Sequence, residues 1–171
     1  MHVKICGLTR TEEVNYLFDN RADFAGIVCF YEKSKRNVSI KTAKEIINKI
    51  HALNRETSHK IKSVAVTVKP EPSQINLIKE AGFDFIQIHG KVNDEIIDSC
   101  PLPVLKAFNV DDLDDYEHYL NMSNIKGFVF DAGVPGSGKI FDWNVLNNLK
   151  RDKDRLFILA GGLNEKNVRE A

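Results

Sequence analysis

The alternation of short apolar segments with amphipathic segments most restricts how this chain can fold. Seven apolar segments, rich in β-branched and aromatic residues, predict β-strands at residues 2–6, 23–30, 63–68, 85–89, 103–108, 125–131 and 155–160. Helical spacing follows these strands, and helix starts are predicted where Thr9 and Glu12 can form a capping box and where Ser39 can cap. Strands that are apolar on both faces and alternate with helices predict a parallel sheet covered by helices.

Two α/β architectures fit this pattern: an open doubly wound sheet and a (β/α)8 TIM barrel. The first strand-to-helix turn reads CGLTR from Cys6, without the glycine spacing or the lysine that nucleotide-binding turns use. Residues able to carry chemistry follow several different strands: Cys6, His89, Asp131, Gly161 and Gly162. Because a barrel collects such residues at the carboxyl ends of its strands, the sequence predicts the barrel.

Seven βα units are visible in residues 1–171, which we expect to form a single barrel domain. An eighth strand and helix would need about 30 more residues, since eight units typically take roughly 250 residues. We therefore expect the eighth βα unit to be absent from this sequence and the domain to be incomplete at its C-terminal side. A barrel that lacks one strand has two unpaired edges, which a further segment or a partner would have to cover.

The charge balance argues against a polyanionic partner. Lys and Arg total 24, as do Asp and Glu, so no net field favours nucleic acid or an anionic membrane. No stretch approaches the ~20 apolar residues of a membrane span, and no apolar signal region is visible near the N-terminus. Three widely spaced cysteines disfavour both a disulfide framework and a zinc site. These features predict a cytoplasmic protein without a bound metal.

Cys6 and Asp131 each allow a catalytic and a structural interpretation. Asp131 ends the apolar run of the sixth strand, so its carboxyl could have a raised pKa and act as an acid, or could cap a helix or loop. Cys6 works as a base only if a helix N-terminus or a cation stabilises its thiolate. Otherwise it is a small apolar residue, as Cys29 and Cys100 are expected to be. The glycine-rich residues 133–138 form either an ordinary connection or a mobile flap.

Five further residues are candidates for binding an anion or an aromatic group. Gly161 and Gly162 end a strand just before a predicted helix, an arrangement that suits a phosphate but also a simple left-handed turn. Arg36 lies in a basic run after strand two and is either an anion clamp or solvated surface. Gln87 and His89 alternate along strand four and point the same way, although a core histidine is the simpler interpretation of His89 by itself.

Five segments, in order along the chain, resemble the phosphoribosylanthranilate isomerase family. They are VKICGLT at residues 3–9, KSKRNVS at 33–39, IQIHG at 86–90, GSGKIFDW at 136–143 and LAGGLNEKNV at 159–168. Any one of these motifs could occur by chance, whereas five in order over nearly the whole chain are specific. The resemblance implies a (β/α)8 barrel that acts in tryptophan biosynthesis.

The resemblance also implies an isomerase that uses general acid and base catalysis without a cofactor. Its substrate would be N-(5-phosphoribosyl)anthranilate and its product 1-(2-carboxyphenylamino)-1-deoxyribulose 5-phosphate, the third step from chorismate. Cys6 would be the general base and Asp131 the general acid. The residues that would bind substrate are Arg36 for the anthranilate carboxylate, Gln87 and His89 for the anthranilate pocket, and Gly161 and Gly162 for half of the phosphate site.

Two alternatives stay open at this point. A related isomerase of histidine biosynthesis is also a phosphosugar barrel, but it uses two carboxylates, which Cys6 disfavours. A catalytically inactive barrel that serves as a binding module is the other. The family's eighth strand brings an aspartate and a Ser-Gly turn that complete the phosphate site, and residues 1–171 contain no match to them. A chain limited to these residues is expected to bind phosphate weakly and to show little activity. We expect a small-molecule substrate as partner and a monomer or homodimer.

Overall fold

The structure, a computed structural model, describes residues 2–132 and 141–170. Its strands are β1 (Lys4–Cys6), β2 (Phe24–Cys29), β3 (Asn37–Val38), β4 (Lys62–Val68), β5 (Phe85–His89), β6 (Val104–Asn109), β7 (Ile125–Asp131) and β8 (Leu156–Leu159). Its α-helices are α1 (Glu13–Asp19), α2 (Ile40–Glu56), α3 (Pro72–Ala81), α4 (Asp94–Asp98) and α5 (Tyr116–Leu120), and a 3-10 helix spans Trp143–Asn148.

The strands form one parallel sheet in the order β1-β2-β4-β5-β6-β7-β8, with the two-residue β3 beside β2. Apart from β3, each strand pairs with the next one along the chain, as in a (β/α)8 barrel and unlike a doubly wound sheet, whose order reverses. The predicted barrel-type α/β fold and its seven strands are therefore confirmed. Within the described residues, β1 and β8 are the two edges of the sheet.

Apolar side chains form two clusters, one on each face of the sheet. On the outer face, Ile46, Ile47 and Ile50 of α2 are fully buried against the strands, in the stripe that the sequence predicts. Burial stabilises each by roughly 1.5–3 kcal/mol relative to exposure. The inner cluster consists of Phe24, Val28, Val64, Val66, Leu105, Ala107 and Val129. The inner face is thus packed with apolar side chains.

The helix ends follow the sequence in part. Ser39 caps α2 as predicted, because its Oγ accepts a hydrogen bond from the Thr42 backbone N–H at 3.1 Å. The predicted capping box of Thr9 and Glu12 is wrong. Glu13 reaches back instead, and its Oε2 accepts a hydrogen bond from the Thr9 backbone N–H at 2.7 Å. The Glu13 carboxylate therefore accepts hydrogen bonds from the backbone N–H groups in the turn after β1.

Lys106 on β6 is buried under α5, with only 2% of its surface exposed. Its Nζ donates to the backbone oxygen of Ala107 at 2.8 Å and lies over the rings of Phe108 and Tyr119, at 4.6 and 4.9 Å from their centroids. Burial lowers the pKa of Lys106 to about 8, although Asp115 partly opposes this effect. An ammonium in this position costs stability near neutral pH.

Replacing Lys106 by Met is expected to raise the free energy of unfolding near pH 7 by about 2 kcal/mol, since it removes the cost of burying the charge. The pKa of about 8 in the folded protein lies below the ordinary 10.5. The unfolded chain therefore binds more protons between these pH values, and the difference between Lys106→Met and wild type should shrink as the pH rises through them. Urea denaturation measures both effects. Lys126→Met, at an exposed position of β7, is the control, and a Lys106→Met protein no more stable than wild type would contradict the burial cost.

Candidate active site

Polar side chains gather on the inner face of the sheet at the carboxyl ends of the strands. Cys6 ends β1, His89 ends β5 and Asp131 ends β7. His89 lies opposite Ala107, and Asp131 comes two residues after Val129, both members of the inner cluster. Because side chains alternate between the two faces of a strand, His89 and Asp131 face the same interior. The sequence prediction that these strand ends share one site is consistent with this arrangement.

Cys6 faces the same interior because a glycine on the neighbouring strand leaves room for it. Cys6 pairs with Gly26 in the register of β1 and β2. A Cβ atom on Gly26 would lie 2.9 Å from Cys6 Sγ and 3.1 Å from Lys4 Nζ. Gly26 lies between Phe24 and Val28 of the inner cluster, so the thiol and the ammonium both cover an inner position. Cys6 is exposed, unlike Cys29 and Cys100, and its thiol is therefore accessible.

Asp131 is held against a second glycine. Its Oδ1 accepts a hydrogen bond from the Ala132 backbone N–H at 2.8 Å. Burial raises the pKa of Asp131, while this hydrogen bond and the charge of Lys4 act in the opposite direction. Gly161 has a φ of +83°, and a Cβ atom on it would lie 2.6 Å from Asp131 Oδ1. The family resemblance implies a phosphate-binding role for Gly161, and the structure adds that the absence of a side chain on Gly161 leaves room for the carboxyl of Asp131.

The residues after Gly162 do not form the predicted helix. Residues 165–170 form turns, and no helix is present between Leu163 and Glu170. The side-chain amides of Asn164 and Asn167 donate instead to the Gly162 backbone oxygen, at 3.2 and 3.1 Å. The predicted helix start at Asn164 is therefore wrong for the described residues, and the phosphate-binding role of Gly161 and Gly162 stays a prediction. Gly161 and Gly162 retain left-handed backbones that turn the chain sharply after β8.

Gln87 and His89 point the same way, as the sequence predicts, and hydrogen-bond each other with 2.7 Å between Gln87 Nε2 and His89 Nε2. Burial, together with the charges of Lys4 and Lys106, lowers the pKa of His89 to about 4. The imidazole is consequently neutral near pH 7, and its Nε2 accepts from the Gln87 amide. Gln87 Oε1 is buried without a partner among residues 2–132 and 141–170. An unpaired buried acceptor favours a bound molecule that supplies an N–H or O–H group.

Arg36 lies across the end of β1. Its Nη1 donates to the Cys6 backbone oxygen at 3.3 Å, and its aliphatic part packs where a side chain on Gly7 would stand. The loop that carries it is fixed by β3, which the sequence analysis did not predict: Asn37 pairs with Val28. Two-residue strands have no periodicity that a sequence pattern can reveal. A surface cleft of about 370 Å³ runs beside Cys6, Gly7 and Arg36.

Sequence reasoning missed Lys4 and Gly26. Lys4 stands two residues before Cys6 in β1, and that spacing could have placed both side chains on one face. Gly26 is a glycine inside an otherwise apolar strand, a pattern that indicates the close approach of another group. Neither signal says which group approaches. That information came from the strand register.

Some predictions fall on residues without a description here. Residues 133–140, which contain the glycine-rich loop and most of the GSGKIFDW segment, lie outside the described residues. In the part of the chain that is described, no group of three or more His, Cys, Asp or Glu side chains could hold a metal ion. Across the same residues, no helix combines the length and the apolar character required to cross a membrane.

Comparison with known proteins shows the family to which this chain belongs. The family model described as N-(5'phosphoribosyl)anthranilate (PRA) isomerase matches residues 3–171. The N-(5'-phosphoribosyl)anthranilate isomerase of Legionella pneumophila (strain Lens) is 35% identical over 178 residues, which cover 100% of this chain and 80% of that protein. The chain belongs to the phosphoribosylanthranilate isomerase family.

Solved structures of the family share the fold. The phosphoribosyl anthranilate isomerase from Thermotoga maritima aligns with a TM-score of 0.79 at 34% identity, over 99% of this chain and 81% of that one. A phosphoribosyl anthranilate isomerase in complex with reduced 1-(o-carboxyphenylamino)-1-deoxyribulose 5-phosphate aligns with a TM-score of 0.76 at 31% identity, over 99% and 80%. These members of the family therefore share the fold of this chain.

Iodoacetamide should alkylate Cys6 in the folded protein and spare the other two cysteines. Cys29 and Cys100 are buried, and burial raises the pKa of both thiols, that of Cys29 to about 12. Intact-mass measurement is expected to show one adduct on the folded protein and three after denaturation. Peptide mapping should place the first adduct on Cys6. Equal labelling of Cys100 in the folded protein would contradict the burial seen here.

Proposed function

We propose that this protein catalyses the Amadori isomerisation of N-(5-phosphoribosyl)anthranilate to 1-(2-carboxyphenylamino)-1-deoxyribulose 5-phosphate in tryptophan biosynthesis. The observation that carries the proposal is the placement of a thiol and a carboxyl, Cys6 and Asp131, on one inner face of a barrel whose family is established over residues 3–171. A relative crystallised with the reduced form of this product supports the substrate class. An acid and a base at one site are what the reaction needs.

Asp131 is proposed as the general acid. It would protonate the furanose ring oxygen, and the C1–O bond would break as the anthranilate nitrogen forms a Schiff base with C1. An acid for this step must hold its proton near neutral pH. Burial of Asp131 raises the pKa of its carboxyl, which favours the protonated form. The Ala132 backbone N–H fixes the carboxyl by its hydrogen bond to Oδ1.

Cys6 is proposed as the general base. Its thiolate would remove the proton from C2, which gives an enolamine that tautomerises to the ketone product. The exposed thiol can reach a bound molecule, and Gly26 leaves the space in which Sγ sits. General acid and base steps of this kind each contribute about 10²–10⁴-fold. Neither step uses a metal or an organic cofactor.

Five residues are proposed to hold the substrate. Arg36 would pair with the anthranilate carboxylate, since its guanidinium lies beside Cys6 and offers a planar set of donors. Gln87 and His89 would line the anthranilate pocket, where the unpaired Gln87 Oε1 can accept a hydrogen bond and the neutral imidazole repels no cation. The backbone N–H groups of the left-handed Gly161 and Gly162 would bind one side of the phosphate.

Three further proposals concern the location of the enzyme, its oligomeric state and its eighth βα unit. We propose a cytoplasmic enzyme that acts as a monomer or homodimer, because the dimeric phosphoribosylanthranilate isomerase from Thermotoga maritima has also been crystallised as monomers. Whether an eighth βα unit and the second half of the phosphate site complete this single domain stays a prediction. The intact mass of the native gene product would test it. A binding role without catalysis is the alternative, and turnover decides between them.

Turnover of phosphoribosylanthranilate, followed as loss of its fluorescence, tests the function and the two roles. The full-length native protein should turn over its substrate, whereas Cys6→Ala and Asp131→Asn in that protein should each lower kcat by about 10²–10⁴-fold, since each removes one proton-transfer group. Asp154→Asn, at an exposed loop position, is the matched control for the carboxyl-to-amide change. No turnover by the full-length native protein would sink the isomerase proposal. Turnover that survives in either variant would refute that residue's role alone.

The role of Arg36 can be separated from general damage with a second substrate. Arg36→Met should raise KM for phosphoribosylanthranilate about 10- to 100-fold, because a hydrogen-bonded charge pair is lost. With the aniline analogue, which lacks the carboxylate, the same variant should differ little from wild type. The KM of Arg36→Lys for phosphoribosylanthranilate should fall between those of Arg36→Met and the wild type. An equal loss on both substrates would show that Arg36 acts through the fold and not through the carboxylate.

A further inference from the structure

Lys4 lies in the barrel interior next to the proposed base. Lys4 stands two residues before Cys6 in β1, so the two side chains lie on the same face of the strand. A Cβ atom placed on Gly26 would lie 3.1 Å from Lys4 Nζ and 2.9 Å from Cys6 Sγ. The two atoms are therefore no more than about 6 Å apart, a range in which an ammonium attracts an anion appreciably in a partly buried site.

We propose that the Lys4 ammonium stabilises the Cys6 thiolate and so keeps the proposed base in its reactive form. This makes Lys4 a positioning residue for the reaction, and the inference rests on the proposed function. A thiol is a nucleophile and a base only as the thiolate, and two kinds of group commonly favour that form: a helix N-terminus or a nearby cation.

The helix N-terminus is already occupied. The first helix after Cys6 is α1, and the backbone N–H groups of Thr9 and Arg10 ahead of it both donate to Glu13 Oε2, at 2.7 and 3.2 Å. A carboxylate at this point replaces the anion that free N–H groups would attract. The same carboxylate adds a negative charge to the turn beyond Cys6. The start of α1 is therefore poorly suited to stabilise a thiolate.

The other nearby cation, Arg36, is engaged differently. Its Nη1 donates to the backbone oxygen of Cys6, and no hydrogen bond from Arg36 to Cys6 Sγ is found in the described residues. By contrast, no described residue forms an ion pair or hydrogen bond with Lys4 Nζ within residues 2–132 and 141–170. Lys4 is thus the cation whose charge is directed at the space that the thiol shares.

The remaining groups around Lys4 are compatible with this role. His89 on β5 is neutral near pH 7, because burial and then the charge of Lys4 lower its pKa to about 4. The charge of Lys4 also lowers the pKa of Asp131 on β7, yet burial raises the pKa of Asp131 more than Lys4 lowers it. Gly26 on β2 adds no charge. The ammonium therefore faces a neutral imidazole, a carboxyl whose pKa burial raises, and the thiol.

Alkylation with two reagents tests the electrostatic claim without any turnover. Iodoacetate carries a negative charge and iodoacetamide does not, so the ratio of their rates at Cys6 reports the local potential. Lys4→Met should lower the iodoacetamide rate near pH 7 about tenfold and lower the iodoacetate-to-iodoacetamide ratio several-fold, roughly threefold or more. Lys4→Arg should restore both, since it restores the charge. Lys126→Met, which removes an exposed lysine from β7, should change neither.

A salt titration of the wild-type protein is a second test that needs no variant. Between about 0.05 and 1 M KCl the Debye length falls below the distance between the two atoms, so the wild-type ratio should fall toward that of free cysteine. If Lys4→Met is poorly folded by circular dichroism, Lys4→Gln and this titration still decide the question. A ratio that depends neither on Lys4 nor on salt would overturn the proposal.

Kinetics then separate this inference from the proposed function. Lys4→Met should lower kcat about tenfold or more with little change in KM, because Lys4 acts through Cys6 and not on the substrate. A rise in KM with an unchanged kcat would contradict this role of Lys4. If the wild-type protein shows no turnover while Lys4→Met still changes the alkylation ratio, the isomerase proposal fails and the link between Lys4 and Cys6 stands. If turnover is present and Lys4→Met leaves the alkylation ratio unchanged, the isomerase proposal stands and the link between Lys4 and Cys6 fails.

Discussion

The parallel register of consecutive strands is the constraint on which the rest of this structure depends. Because every strand pairs in the same direction as its neighbour, all carboxyl ends meet at one edge. The pairing of β1 with β2 sets Cys6 opposite Gly26, and the Ala160 N–H that donates to the Phe130 oxygen brings the turn after β8 beside Asp131. A shift of one residue in either pair would turn the thiol or the carboxyl to the helix-covered face.

Two glycines convert this register into a chemical site. Gly26 leaves the space for Cys6 Sγ, and Gly161 leaves the space for the carboxyl of Asp131. Burial is the largest influence on the pKa of two polar groups of this face: it lowers the pKa of His89 to about 4 and raises the pKa of Asp131. The same physics acts on the outer face, where Lys106 is buried among aromatic rings and lowers stability.

Much of this could be predicted from the sequence. The seven strands, the parallel sheet, the α2 stripe and the Ser39 cap depend on local periodicity and turn chemistry, which a sequence displays directly. The errors have a common cause in competition between local groups. Glu13 displaced Glu12 from the turn after β1, and side-chain amides replaced the helix expected after Gly162. Two neighbouring donors or carboxylates that are both able to reach a backbone group cannot be ranked without the coordinates.

The sequence by itself determined the fold class and singled out Cys6 and Asp131 as candidate site residues, because strand periodicity and five ordered motifs can be recognised without any interatomic distance. Only the tertiary structure decided what surrounds them. Strand register and side-chain direction bring Lys4 close to Cys6 and place Cys6 in the space that Gly26 leaves. They also bring Gly161 close to Asp131. Protonation follows from burial and from neighbours in space, and neither is written in the order of residues along the chain.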